Sequence, residues 1–133
     1  MERYKKVLLI DDDDIVNSIN SVIIKHAKFA SEVETINSVP NAIDALNEMK
    51  SSNNAPDVIF LDLNMPGQDG WDFMEEYEKL GLNGSTKVIM LTSSISSKDE
   101  ERASSSNHIA AFISKPLSPE LLESIYNSHL IQS

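Results

Sequence analysis

Val58-Ile59-Phe60-Leu61-Asp62-Leu63-Asn64-Met65-Pro66-Gly67-Gln68-Asp69-Gly70 is an apolar run that stops on a carboxylate and then passes through two glycine-marked turns. An uninterrupted run of Val, Ile, Phe and Leu bounded by turn signals predicts a strand buried on both faces of a parallel sheet. The same design recurs on either side. Val7-Leu8-Leu9-Ile10 and Val88-Ile89-Met90-Leu91 are equally continuous, and Ile109-Ala110-Ala111-Phe112-Ile113 is a further apolar run. Val33-Glu34-Thr35-Ile36 mixes apolar with polar residues, as suits a strand at a sheet edge.

The segments between these runs have helical spacing. Ile15, Ile19, Val22, Ile23 and Ala27 predict one buried stripe, with Asp13 or Asp14 as the cap. Ala42, Ile43, Ala45, Leu46 and Met49 form a second, opened near Pro40 and closed by Ser51-Ser52-Asn53-Asn54. Trp71, Phe73, Met74, Tyr77 and Leu80 form a third that stops at Gly81. The last opens on Ser118-Pro119 and runs through Leu121, Leu122, Ile125 and Leu130. The segment 96–107 is the exception. Ser97-Lys98-Asp99-Glu100 reads as a capping box, but Ala103 is almost the only apolar residue that follows, so a loosely packed helix is expected.

Strand and helix alternating five times predict an α/β fold: (βα)5, a flavodoxin-like doubly wound five-stranded parallel sheet in the order 2-1-3-4-5. In such a sheet the ligand crevice lies beyond the carboxyl ends of the strands. Those ends carry Asp11-Asp12-Asp13-Asp14, Asp62, Thr92-Ser93-Ser94 and Ser114-Lys115-Pro116. The first and third strands are neighbours in this order, so Asp11, Asp12 and Asp62 should converge. Three carboxylates that close repel one another unless a cation intervenes, and a small hard divalent ion, Mg²⁺ first, is the natural one. Asp14 reads instead as part of the helix start.

Composition narrows the function. The 133 residues include 21 acidic and 11 Lys or Arg, a net charge of −10, 41% hydrophobic residues and no cysteine. That length fits one domain with a core of its own. The acidic balance argues against direct nucleic-acid binding, and the lack of cysteine excludes thiolate chemistry and thiolate metal sites. Only four apolar residues follow the charged start, too few for a signal core or a membrane span. A cytoplasmic location without membrane insertion is expected. None of His26, His108 and His129 has the surroundings of a metal ligand or a phosphohistidine.

Val7-Leu8-Leu9-Ile10-Asp11-Asp12, Phe60 to Gly70, Met90-Leu91-Thr92 and Ser114-Lys115-Pro116 together resemble the receiver domain of response regulators, of the chemotaxis-type single-domain kind, over essentially the whole chain. The resemblance implies a phosphoacceptor of two-component signalling or a phosphorelay. Asp62 would take a phosphoryl group from a histidine kinase or phosphotransfer protein. Mg²⁺ would be held by Asp12, Asp62 and the backbone carbonyl of Asn64, with Asp11 acting largely through water. Lys115 and Thr92 would each cover a phosphoryl oxygen, and Thr92 with Phe112 would form the switch. Phe112 stands where the family often has Tyr, and Ser93 where it often has Ala. The resemblance also implies a cis Lys115–Pro116 bond. It further implies a single receiver domain over residues 1–133 with no effector domain, signalling to a downstream protein whose identity the residues do not specify. It implies no metabolic enzyme, only promotion of the chain's own phosphorylation and dephosphorylation. Weak Mg²⁺ binding, lost below about pH 5 as carboxylates protonate, is expected. The face formed by segment 96–107, the fifth strand and the last helix is the expected partner surface.

Other chemistries fit poorly. A phosphohydrolase of the haloacid-dehalogenase type wants a second Asp two residues after the nucleophile, and Asn64 cannot shuttle a proton. A nucleotide or flavin site lacks its glycine-rich loop, the chain having four glycines. A calcium loop starting at Asp62 would place Pro66 and Phe73 at its fifth and twelfth positions, where ligands are needed.

Overall fold

In a computed structural model the three continuous apolar runs lie side by side at the centre of one sheet. The structure describes residues 4–82, 86–93 and 96–127. The strands are β1 (Tyr4–Ile10), β2 (Ala30–Ile36), β3 (Val58–Asp62), β4 (Lys87–Thr92) and β5 (Ile109–Ser114). Between and after them come α1 (Asp14–His26), α2 (Val39–Ser51), α3 (Gly70–Leu80), α4 (Ser97–Ser104) and α5 (Pro119–Asn127). Every pairing is parallel and the order is β2-β1-β3-β4-β5, as the rhythm of the sequence predicts.

Successive residues of a strand point to opposite faces, and here both faces are covered. Leu8, Ile10, Ile59, Leu61, Val88 and Met90 pack against Ala42 and Leu46 of α2 and Phe73 and Tyr77 of α3. Val7, Leu9, Val58, Phe60, Ile89 and Leu91 pack against Ile24 of α1 and Leu122 and Ile125 of α5. That double burial is why the central runs have no polar interruption. β2, at an edge, keeps Glu32 and Glu34 exposed, and β5 at the other edge is half-buried from Ile109 to Ile113.

The helix starts follow local chemistry. Asp13 caps α1, its carboxylate accepting from the backbone N–H of Ile15 and Val16. Ser38 caps α2, with Pro40 in the first turn, and Asp69 and Asp72 form a reciprocal capping box at α3. Gly81 ends α3 at φ +64°, a conformation a side chain disfavours. Ser118 accepts from Leu121 N–H at the start of α5. At α4 the cap is Ser96 rather than Ser97: its Oγ accepts from Asp99 N–H and donates to the Asp99 carboxylate. Ser94, His129 and Leu130 lie outside the described residues. The Lys115–Pro116 bond is cis.

The stripe expected on α1 holds only in part. Ile23 and Ala27 pack against the core, but Ile15, Ile19 and Val22 are 72%, 54% and 67% exposed, while Asn17, Asn20 and Ile24 face inward. On a helix of 3.6 residues per turn these two sets lie on roughly opposite sides. The inward side is set by the strand ends that α1 crosses. Asn17 Nδ2 donates to the carbonyl oxygens of Asp11 (2.9 Å) and Ile36 (3.3 Å), which an aliphatic side chain could not do.

Candidate functional site

Strand register assembles the site. Ile10 pairs with Leu61 and Leu61 with Met90, so Asp11 and Asp62, one residue further along, emerge together at the carboxyl end of the sheet. Thr92 pairs with Ser114, which brings Lys115 to the same end. Carboxylate oxygens of Asp11, Asp12 and Asp62 lie within 4.8 Å of one another, Asp11 and Asp62 buried and Asp12 exposed. The Lys115 ammonium is 2.7 Å from Asp11 Oδ2 and 3.2 Å from Asp62 Oδ1. Asp62 Oδ1 also accepts from Asn64 N–H (3.3 Å), and Asp11 Oδ1 from Asp13 N–H (3.0 Å).

The electrostatics are those of a site short of positive charge. Burial, and then the charge of Asp11, push the Asp62 carboxyl up to about 6; Lys115 and the Asn64 N–H oppose this without cancelling it. Burial tends to lower the Lys115 ammonium, but its hydrogen bond to Asp11 and the charges of Asp62 and Asp11 outweigh it, so it is held above the usual lysine value. Cation affinity should therefore fall as the pH drops through about 6, a higher threshold than carboxylates of ordinary acidity imply.

Asn64 Nδ2 donates to Thr92 Oγ1 (3.2 Å), joining the loop after β3 to the fully buried Thr92. Ser93 is exposed. Phe112 lies opposite Met90, half-buried against the core layer of α2 and α3, two positions short of the end of β5. Asp13 and Asp14 serve the helix: Asp13 caps it and Asp14 accepts from Asn37 Nδ2 (3.2 Å). Gly70 starts α3 hard against the strand end. A Cβ there would stand 3.0 Å from Leu63 Cα and 3.1 Å from the Asp62 carbonyl oxygen, so a side chain would displace the Asp62 loop.

Two contributions were not legible in the sequence. Asn17, 3% exposed, grips the end of β1; its only signal was a carboxamide within a helix that already had an apolar stripe elsewhere. Trp71 donates its indole N–H to Asp99 Oδ1 (3.2 Å), and the Arg102 guanidinium lies 4.3 Å from the indole centroid. These contacts tie α4, whose one buried residue is Ala103, to the first turn of α3.

The residues fit a divalent cation. Three oxygen donors converge, and one ammonium leaves Asp62 with a raised pKa, so a hard cation is favoured in proportion to the charge it neutralises.

Comparison with known proteins agrees with this geometry. The family model described as the response regulator receiver domain matches residues 7–127. A crystal structure of a two-component response regulator from Cytophaga hutchinsonii is 34% identical, with a TM-score of 0.87 over 95% of this chain and 96% of that one. A receiver protein structure from Dyadobacter fermentans is 28% identical, with a TM-score of 0.78 over 93% of this chain and 99% of that one. Among curated proteins, a protein-glutamate methylesterase/protein-glutamine glutaminase of Ralstonia nicotianae is 33% identical over 117 residues, 86% of this chain and 28% of that protein. The sensor histidine kinase CheAY of Helicobacter pylori is 29% identical over 119 residues, 90% of this chain and 14% of the kinase. The chain thus spans less than a third of these two relatives. Among the described residues no helix is long and apolar enough to cross a membrane.

Proposed function

Because the chain belongs to the response regulator receiver family, we propose that it takes a phosphoryl group from a phosphohistidine onto Asp62 and signals through the change that follows. The observation that carries this is a buried carboxylate at the end of a central strand, ringed by Lys115, Asp11 and Asp12. An Asp62 oxygen attacks phosphorus, the P–N bond breaks, and the departing imidazole keeps the electron pair and takes up a proton. In the transition state the phosphoryl charge is spread over three equatorial oxygens, and the Lys115 ammonium is placed to offset part of it. Asp12, Asp62 and the Asn64 backbone carbonyl would hold Mg²⁺, with Asp11 acting through water. Bound there, the ion supplies the remaining neutralisation of phosphoryl charge.

A receiver interacts with a histidine kinase or a phosphotransfer protein. The exposed Ile15, Ile19 and Val22 of α1 are the apolar surface by which we read that donor to dock. Ile19 shares a crevice of about 280 Å³ with Val16, Asn20, Lys115 and Pro116, so this surface borders the site. On the output side, the Thr92 hydroxyl leaves Asn64 for the phosphoryl group and Phe112 turns behind it. The downstream protein then reads the face of α4, β5 and α5. Residues 1–133 act as one receiver domain that promotes its own phosphorylation and dephosphorylation, without metabolic enzyme activity, in the cytoplasm. The test is intact-mass measurement after mixing the chain with Mg²⁺ and acetyl phosphate. One base-labile phosphoryl group is expected, absent without Mg²⁺ and absent from Asp62→Asn; a group retained by Asp62→Asn would refute the assignment.

A further inference from the structure

We propose that Asn17 is a positioning residue for the Asp11–Asp12 carboxylate pair, acting through the main chain; this rests on the cation-binding role assigned above to that pair. The backbone of Asp11 is held on both sides. Its N–H donates to Ile36 O (3.1 Å), and its carbonyl accepts from Asn17 Nδ2 (2.9 Å). Its side chain is held as well, by Asp13 N–H and by Lys115. Asp12 differs: among the described residues nothing hydrogen-bonds or ion-pairs with its exposed carboxylate. The direction in which Asp12 points is therefore set by its backbone, and the peptide that leads into it is the one whose carbonyl Asn17 pins.

The carboxamide orientation follows from its neighbours. Two carbonyl oxygens face it, and only the NH₂ end can donate to them. Oδ1 is then left buried with no partner among the described residues, an arrangement that costs stability. A leucine would remove that orphaned oxygen but leave the Asp11 carbonyl without its side-chain donor, so packing alone gives no reason to prefer either residue. The asparagine makes sense as a holder of the strand ends beside the acidic pocket, not as a packing residue. Groups that orient metal-binding carboxylates from behind typically change metal affinity by 10- to 100-fold when removed.

Asn17→Leu separates this role from packing, because it removes both donors together with the unpaired acceptor. Asn17→Asp keeps the shape and replaces the donor with an acceptor. Each full-length variant is compared with the parent by thermal unfolding without metal, by calorimetric titration with Mg²⁺ alone, and by phosphorylation with acetyl phosphate across Mg²⁺ concentrations. The metal-free amide signals of Asp12 and Asp13 are followed by NMR. For Asn17→Leu the expectation is a folded protein unfolding close to the parent temperature, since one orphaned oxygen replaces another, with Mg²⁺ affinity down about tenfold and near-parental phosphorylation once Mg²⁺ saturates. Shifted Asp12 and Asp13 amides should accompany this, and Asn17→Asp should lose affinity in the same direction. Mg²⁺ affinity within about twofold of the parent in either folded variant, or a saturating rate that falls with affinity unchanged, would overturn the proposal. A parent that binds no Mg²⁺ would instead refute the cation site, while the amide shifts would still report whether Asn17 sets the turn.

Discussion

Replacing Asp62 with Asn should stabilise the metal-free fold at neutral pH. The Asp62 carboxyl is raised from 3.8 to about 6, first by burial and then by the charge of Asp11, with Lys115 opposing. Below the lower value both folded and unfolded chains carry the proton, and there is no penalty. Between the two values the unfolded chain releases its proton while the folded chain retains it, so stability falls as the pH rises. Above about 6 the loss is complete. At about 1.36 kcal/mol per pH unit it amounts to roughly 3 kcal/mol. Asn has the shape of the neutral carboxyl and escapes this penalty, so at pH 7 Asp62→Asn should be more stable by about that amount. For a domain of this size that corresponds to a rise in unfolding temperature of roughly 10 °C. Saturating Mg²⁺ should close the gap by stabilising the parent, by about 2.7 kcal/mol at a hundredfold excess over its dissociation constant. The assay is thermal or urea unfolding of both proteins from about pH 3.5 to 8, with chelator and with Mg²⁺. No gain at pH 7, or a gain as large at about pH 3.5, would refute the reasoning that this carboxylate is ionised at a cost.

Asp12→Ala should weaken Mg²⁺ binding by at least about tenfold, the loss already typical when a ligand's support is removed, whereas Asp14→Ala should leave a calorimetric titration nearly unchanged. Gly70→Ala should cost about 1–3 kcal/mol in urea unfolding and slow phosphorylation, since the new Cβ meets Leu63 Cα and the Asp62 carbonyl. Arg102→Ala should weaken the tie between α4 and Trp71 by about 0.5–1 kcal/mol, read as a change in Trp71 fluorescence and faster amide exchange over residues 97–104. With a phosphoryl mimic bound, changes in hydrogen exchange should centre on residues 92–112. Changes confined to α1 or residues 40–50 would rule out the face of α4, β5 and α5 as the output.

Much of this protein is written locally. The three central strands could be read from Val7–Ile10, Val58–Leu61 and Val88–Leu91 because burial on both faces removes every polar residue from the run. The carboxylates that end two of those runs, and Lys115 after the last strand, fall together once the strand order is known, since register carries each strand end to the same edge. The caps of α1 and α5 were legible too, because a cap and the N–H groups it serves are within a few residues, whereas the α4 cap fell on Ser96, one residue before the Ser97 that the sequence suggested. What the tertiary structure alone decided depends on partners far apart in the chain. Asn17 meets Ile36 across 19 positions and Trp71 meets Asp99 across 28. The inward face of α1 belongs with these. Its aliphatic stripe has the helical period, but periodicity is blind to the strand-end carbonyls that the opposite side must satisfy. The raised pKa of Asp62 likewise belongs to no residue by itself, for it arises from burial and from the distance at which the fold sets Asp11 and Lys115 around one carboxylate.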